Sequence, residues 1–327
     1  VRQEQFEARF ASRWDEFDRW LTHARLPRRQ RAKKPAPFGD EEMAPRYREI
    51  CQHLALARAR DYGPAVAERL HRLALEGHDC LYGTPGGSLR RFLAYLSGGF
   101  AREVRREWRV VLAALLAFAG PYLALMIVVR VFPDFAYIVL PAEQLGQFDV
   151  MYGPDAAELG TQRGARDDLT MFGFYIYNNI GIGFKTFASG LFAGVGTVLA
   201  LLYNGVFMGT VDAHVVNLGH AQRFYSFVAG HSSFELTAIV LCGAAGLKLG
   251  ASMLAPGDWS RGESLRRAAR SVIGIVAGAA AMLVIAAAIE GFWSPRTLPL
   301  AIKLGVGLIN WVLVIAYLLL AGRRDAA

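Results

Sequence analysis

Nine side chains in the apolar C-terminal part of the chain are placed where they could do chemistry: Asn178, Asn179, Asn204, Asp212, His214, His231, Glu235, Glu290 and Asn310. They stand where a lipid-facing helix would carry leucine, and such groups are costly in hydrocarbon, so they must face one another or a wet cavity. His231 and Glu235 are four residues apart and share a helix face. An imidazole and a carboxylate so placed can hold a divalent metal, pass protons, or simply hydrogen-bond to each other. A metal would need a third and fourth ligand, and topology offers only Asp212 or His214, so no metal and no cofactor is assigned. Each amide has two donors and two acceptor lone pairs. The four asparagines, expected near mid-membrane, can therefore form a cross-helix network, either as structural glue or as a polar site for a headgroup or ion.

Nothing here spells out a catalytic constellation. His231-Ser232-Ser233 suggests a serine nucleophile, but no G-x-S-x-G elbow is present and hydroxyls in membrane helices bond back to carbonyls one turn earlier. Gly181 and Gly183 do not make a phosphate loop, since no strand precedes them and no GK[ST] follows. No catalytic residue is assigned and no enzyme is expected.

The elements that must position these groups are helices. With 54% hydrophobic residues and 34 glycines in 327, the composition is that of a membrane protein. The fold class expected is all-α: a polytopic helical membrane bundle of about six segments behind an N-terminal cytoplasmic helical domain, residues 1–100. In that domain Phe6, Phe10, Trp14, Phe17 and Leu21 recur at helical spacing, and helices are expected over 45–60, 64–82 and from about Ser88. A Pro-rich basic linker, LPRRQRAKKPAPFGDEEMAP, divides the first from the second. The amino terminus has no short apolar run of the kind that opens a signal peptide, so the first span is expected to be its own insertion signal. Cys51, Cys80 and Cys242 are too few and too scattered for a disulfide framework or a zinc site.

The net charge of +8 raises nucleic acid as a partner, but the basic residues lie beside apolar spans and no groove-reading module is visible. Positive-inside bias and anionic lipid account for them, so membrane lipids and no nucleic acid are expected. Arg102, Arg105, Arg106 and Arg109 lead into the first span, within 101–132, and place the amino terminus in the cytoplasm. The acidic stretch 133–171 is an extracytoplasmic loop. The membrane domain, 172–322, is divided into segments 172–188, 190–214, 231–254, 271–292 and 299–321. Whether 172–188 crosses or re-enters is decided by charge: only if it crosses do Arg261, Arg266, Arg267, Arg270 and the terminal Arg323-Arg324 all lie inside. Both termini are then cytoplasmic, and glycines at four-residue steps mark close helix contacts and leave room for a homodimer.

The stretches YNNIGIGFKTFASGLFAGVGTVLALLYNGVFMG (177–209) and GHSSFELTAIVLCGAAGLKLG (230–250) resemble the stage II sporulation protein M family of bacterial membrane proteins. The resemblance covers roughly residues 100–322. The family's paired asparagines correspond to Asn178 and Asn179, its Asn-Gly to Asn204-Gly205, and its His and Glu to His231 and Glu235. Its Pro-His-Gly before the glutamate is Gly230-His231-Ser232 here. The resemblance implies a multi-pass inner-membrane protein acting as a non-enzymatic scaffold for envelope or peptidoglycan-remodelling partners. The polar membrane residues support the alternative of a transporter or channel for a small or lipid-linked substrate.

Overall fold

The computed structural model describes residues 2–24, 26, 31, 34–82, 88–153 and 164–323. Most of the basic run in the linker, the Gly83–Gly87 turn, Pro154, Arg163 and Arg324 lie outside them. No strand occurs among the described residues, and the chain divides into two compact units, Val1–Phe92 and Leu93–Ala327.

Among the described residues, the first unit packs three long helices around an aromatic core. α1 (Gln3–Ala24) buries Phe6, Trp14, Phe17, Trp20 and Leu21 at the three- and four-residue steps of one face, with Phe10 partly buried beside them. α2 (Met43–Ala59) adds Ile50 and Ala57, and α3 (Pro64–Leu81) adds Val66, Leu70 and Leu73. Pro64 starts α3 without loss because a first-turn N–H has no helical partner. Gly63 N donates instead to Gln3 Oε1, 2.9 Å away. Salt bridges Arg13–Glu49, Arg69–Asp15 and Arg72–Asp18 rim this core.

Inside it, Trp14 Nε1 donates to His53 Nδ1 at 3.1 Å. Indole nitrogen only donates, so His53 must keep Nδ1 unprotonated. Burial also disfavours the imidazolium and lowers the His53 pKa below its ordinary 6.5. A depressed histidine contributes stability that is present above pH 6.5 and lost as pH falls through and below that value.

The second unit begins inside α4 (Ser88–Ala94), which passes through a π turn at Tyr95–Gly99 into α5 (Phe100–Arg106). Five helices among the described residues are long and apolar enough to cross a membrane. They are α6 (Trp108–Val131), α9 (Val195–Asn217), α11 (Ser232–Leu254), α12 (Arg261–Ala288, extended to Trp293 by a π turn) and α13 (Leu300–Leu320). α7 (Ala142–Tyr152) and α10 (Ala221–Val228) lie in connections. α11 is the central helix and touches α6, α8 (Ala165–Ala188), α9, α12 and α13. α6 and α13 expose Leu116, Ile127, Leu308 and Val312, as lipid-facing helices do.

The segment 172–188 is the C-terminal part of α8 (Ala165–Ala188), too polar to count among the five. Its course between α6 and α9 follows from direction. α6 and α9 pack in parallel: an added Cβ at Gly205 would meet Phe118 O at 2.3 Å, one at Gly209 would meet Tyr122 O at 2.2 Å, and Asn217 Nδ2 donates to Val129 O at 2.8 Å. A re-entrant loop between them would have left them antiparallel. α8 makes the return, about 36 Å long for its 24 residues. Along its length Asp168 meets Arg296, Phe172 lies beside Gly291, Gly183 beside Leu283 and Cys242, and the following Gly190 against Gly246.

Two outcomes follow. Lowering pH from 7 to 5 destabilises the first unit, read as loss of buried-tryptophan fluorescence at lower denaturant, and His53→Gln flattens that pH dependence. Gly209→Leu, which drives a side chain into the α6 backbone, lowers stability by about 1–3 kcal/mol in detergent melting.

Candidate functional site

The nine candidates separate into two groups around one cavity and three isolated contacts. Asn204 Nδ2 donates to Ala200 O of its own helix at 2.7 Å, and Asn310 Nδ2 donates to Gly230 O at 2.8 Å. His214 Nε2 lies 3.1 Å from Asp149 Oδ1 on α7, tying that connection to α9. The expected network of four amides therefore does not form. Amides in an apolar bundle take the nearest carbonyl, and for Asn204 and Asn310 that acceptor is backbone.

The first group is held by α8, α11 and α12. Asn178 Nδ2 donates to Asn179 Oδ1 at 3.1 Å, and Asn179 Nδ2 donates to Glu290 Oε2 at 3.2 Å. His231, the N-cap of α11, places Nε2 3.7 Å from Glu235 Oε2 and Nδ1 3.1 Å from Ser294 Oγ. One ligand atom from each of His231, Glu235 and Glu290 lies within 4.8 Å of the other two. The third group beside His231 and Glu235 is thus Glu290, not Asp212 or His214 as topology alone suggested. The reason is local. The π turn at Ile289–Trp293, with Ser294 N donating to Ile289 O, inserts a residue into α12 and turns Glu290 and Ser294 toward α8 and α11.

The second group is Asp212, whose carboxylate accepts from Tyr122 Oη at 2.5 Å and from Tyr225 Oη at 2.7 Å. The tyrosines come from α6 and α10. Neither was singled out by sequence, although a tyrosine beside Pro121 in an otherwise aliphatic span was a visible signal.

Both groups border a cavity of about 480 Å³ whose wall includes Tyr122, Asp212, Tyr225, His231 and Glu235. The rest of the wall is almost wholly apolar, with Phe207, Leu304, Leu308 and Trp311 among it. Asp212 and His231 stand near the C-terminal end of α9 and the start of α11, so the cavity occupies one half of the bundle's thickness. Next to Leu304 of the wall, Lys303, 2% exposed, donates through Nζ to Ser294 O at 2.7 Å.

The serine-nucleophile reading finds no support in this geometry. Ser232 Oγ donates to Ala229 O at 3.3 Å, and the hydroxyl that does reach the imidazole, Ser294, is 0% exposed and not part of the cavity wall.

Parallel and antiparallel apolar helices enclosing buried polar side chains define an all-α, multi-pass membrane protein. The stage II sporulation protein M family matches residues 110–295, more than half of the chain, and takes in α6 through the π turn of α12. The chain belongs to that family. A second match, Domain of unknown function (DUF8413), covers residues 4–83 and hence nearly all of the first unit. No curated protein and no solved structure matches the chain.

Tyr122→Phe and Tyr225→Phe each remove one donor from the Asp212 carboxylate. Each is expected to cost about 1.5–3 kcal/mol, the usual range for a hydrogen bond to a charged group, in thermal or denaturant unfolding in detergent. The double variant is expected to cost more than the sum, because the second loss strands a buried charge.

Proposed function

We propose that this protein is a non-enzymatic, multi-pass protein of the bacterial inner membrane that binds a small or lipid-linked substrate in the intramembrane cavity and passes it across or within the bilayer. The observation that supports this most is the chemistry of the cavity wall. It is apolar over most of its area and carries two carboxyl groups, an imidazole and two phenols, which suits an amphiphile with a polar head and an apolar body. Intramembrane ionisable groups that border a cavity are characteristic of substrate and ion paths. Membrane lipids are accordingly partners.

The scaffold reading stands beside it on a separate observation. The first unit has its own aromatic core and is matched by a domain family of its own, so it offers a docking surface independent of the membrane bundle. An envelope or peptidoglycan-remodelling protein is the partner that family membership suggests, and the tight glycine faces are compatible with a homodimer.

Arg105 supports cytoplasmic termini. Its guanidinium donates to Leu318 O at 2.6 Å and Ala321 O at 2.7 Å, bringing the basic lead-in of α6 to the end of α13. Basic residues in the first two turns of α12, Arg261, Arg266 and Arg267, belong on that same face by helix direction. The cavity then lies in the outer half.

Reporter fusions check the orientation: one after Gly219 is exported and one after Gly262 is not. Flux checks the function. In proteoliposomes loaded with envelope lipid precursors, the parent protein should move label above empty vesicles. Glu235→Gln and Asn179→Ala should each reduce that rate at least tenfold, and equal rates in all three at background would remove the transport reading.

A further inference from the structure

The trio His231, Glu235 and Glu290 has the composition and the support of a metal centre. Its donors are one imidazole nitrogen and two carboxylates from two helices, with one ligand atom of each within 4.8 Å of the others. Ligands about 2.0–2.2 Å from a zinc ion stand about 3.4 Å apart in a tetrahedron, so rotamer adjustment alone can close the set.

Three further features fit. First, His231 Nδ1 lies 3.1 Å from Ser294 Oγ and Nε2 faces Glu235; with Nδ1–H donating to that hydroxyl, Nε2 carries the lone pair a metal needs. Second, Asn179 holds Glu290 by one oxygen, at 3.2 Å, and leaves the other available. Such outer partners orient ligands at metal sites. Third, Glu235 receives no hydrogen bond from any described residue, although its side chain is only 14% exposed; its polar neighbours are His231, at 3.7 Å, and the Glu290 carboxyl. Two ionised carboxylates this close in an apolar bundle repel strongly, so a proton or a metal cation must lie between them. Neither makes a salt bridge to Lys or Arg among the described residues, and Lys303, the buried cation in this region, spends its contact on Ser294 O.

We infer that His231 Nε2, Glu235 and Glu290 bind one divalent transition-metal ion, with its open coordination positions turned to the cavity. His231 and Glu235 line the cavity wall and Glu290 does not, so the ion closes the polar end of the space. A nitrogen-and-oxygen donor set of this kind ranks zinc above manganese by the general affinity order. The inference deepens the proposed function and rests on the cavity being its ligand site: the free positions would take a lone-pair donor of the substrate, such as a phosphate oxygen of a headgroup.

The test is equilibrium dialysis of the whole chain in mild detergent, stripped with chelator and titrated with zinc chloride, read by elemental analysis and by the shift in melting temperature. About one zinc per chain is expected, with manganese at least tenfold weaker. Glu235→Gln and Glu290→Gln are expected to weaken zinc at least a hundredfold. Ser294→Ala, which leaves all three ligands in place, is expected to weaken it about 10–100-fold. His214→Asn, a histidine bonded to Asp149 away from the trio, should leave it unchanged. If a glutamine variant fails to fold, the parent stoichiometry and Ser294→Ala still decide. No saturable zinc in the parent, or zinc retained in full by both glutamine variants or by Ser294→Ala, overturns the inference. Binding is read without flux, so a chain that moves substrate yet holds no zinc defeats only the metal site, and one that holds zinc without flux defeats only the transport reading.

Discussion

The membrane unit depends on how closely other backbones can approach α11. Lipid supplies no hydrophobic drive between helices, so association rests on van der Waals contact and on hydrogen bonds at close range. α11 meets that demand with small residues: an added Cβ at Gly246 would lie 2.3 Å from Thr197 Oγ1, and one at Gly250 would lie 2.2 Å from Gly194 N. Ala238, Ala244 and Ala245 are fully buried along the same helix. Close approach on this scale lets one helix touch all five others. It also fixes where the first turn of α11 points, and with it His231 and Glu235.

Once those contacts are set, the charged residues fall into two kinds. Most have a partner that answers their charge or their lone pairs. Asp168 pairs with Arg296, Glu107 with Lys248, and Asp212 takes two phenolic hydroxyls. These contacts tie α8 to the turn after α12, the α6 lead-in to α11, and α10 to α9. Glu235 and Glu290 differ: they have an imidazole and an amide for company and, among the described residues, no salt bridge to Lys or Arg. Retaining a buried charge without a fixed counter-charge is a poor way to stabilise a fold. The pair therefore makes more sense as half of a site than as a strut.

The sequence carried the class of fold and the family because both rest on features with long range and strong periodicity. Apolar runs of spanning length, arginines beside them, and the paired asparagines with Asn204-Gly205, His231 and Glu235 are legible residue by residue. The His231–Glu235 proximity was also legible, because four residues on a helix make one face. What the sequence hid were contacts set by local departures from that periodicity. Glu290 and Ser294 reach the site through a π turn, which no 3.6-residue pattern foretells. Tyr122 and Tyr225 reach Asp212 from helices far apart in sequence. The asparagine network failed for the opposite reason. Depth alone put the four amides near each other, whereas rotation about each helix axis gave Asn204 and Asn310 backbone acceptors first.

α8 shows how the two levels fit together. By composition it is the weakest candidate to cross a bilayer, with Asp168, Asn178, Asn179 and Lys185 in its length. An isolated helix of that make-up would pay for each polar group in lipid. Here Asp168 and Asn179 are buried, 3% and 2% exposed, and both are spoken for by residues at or just past the C-terminal end of α12. The chain can therefore insert such a helix only together with α11 and α12. The polarity that makes α8 hard to recognise as a span is the same polarity that supplies Asn179 to Glu290, so the helix least suited to lipid is the one the candidate site cannot do without.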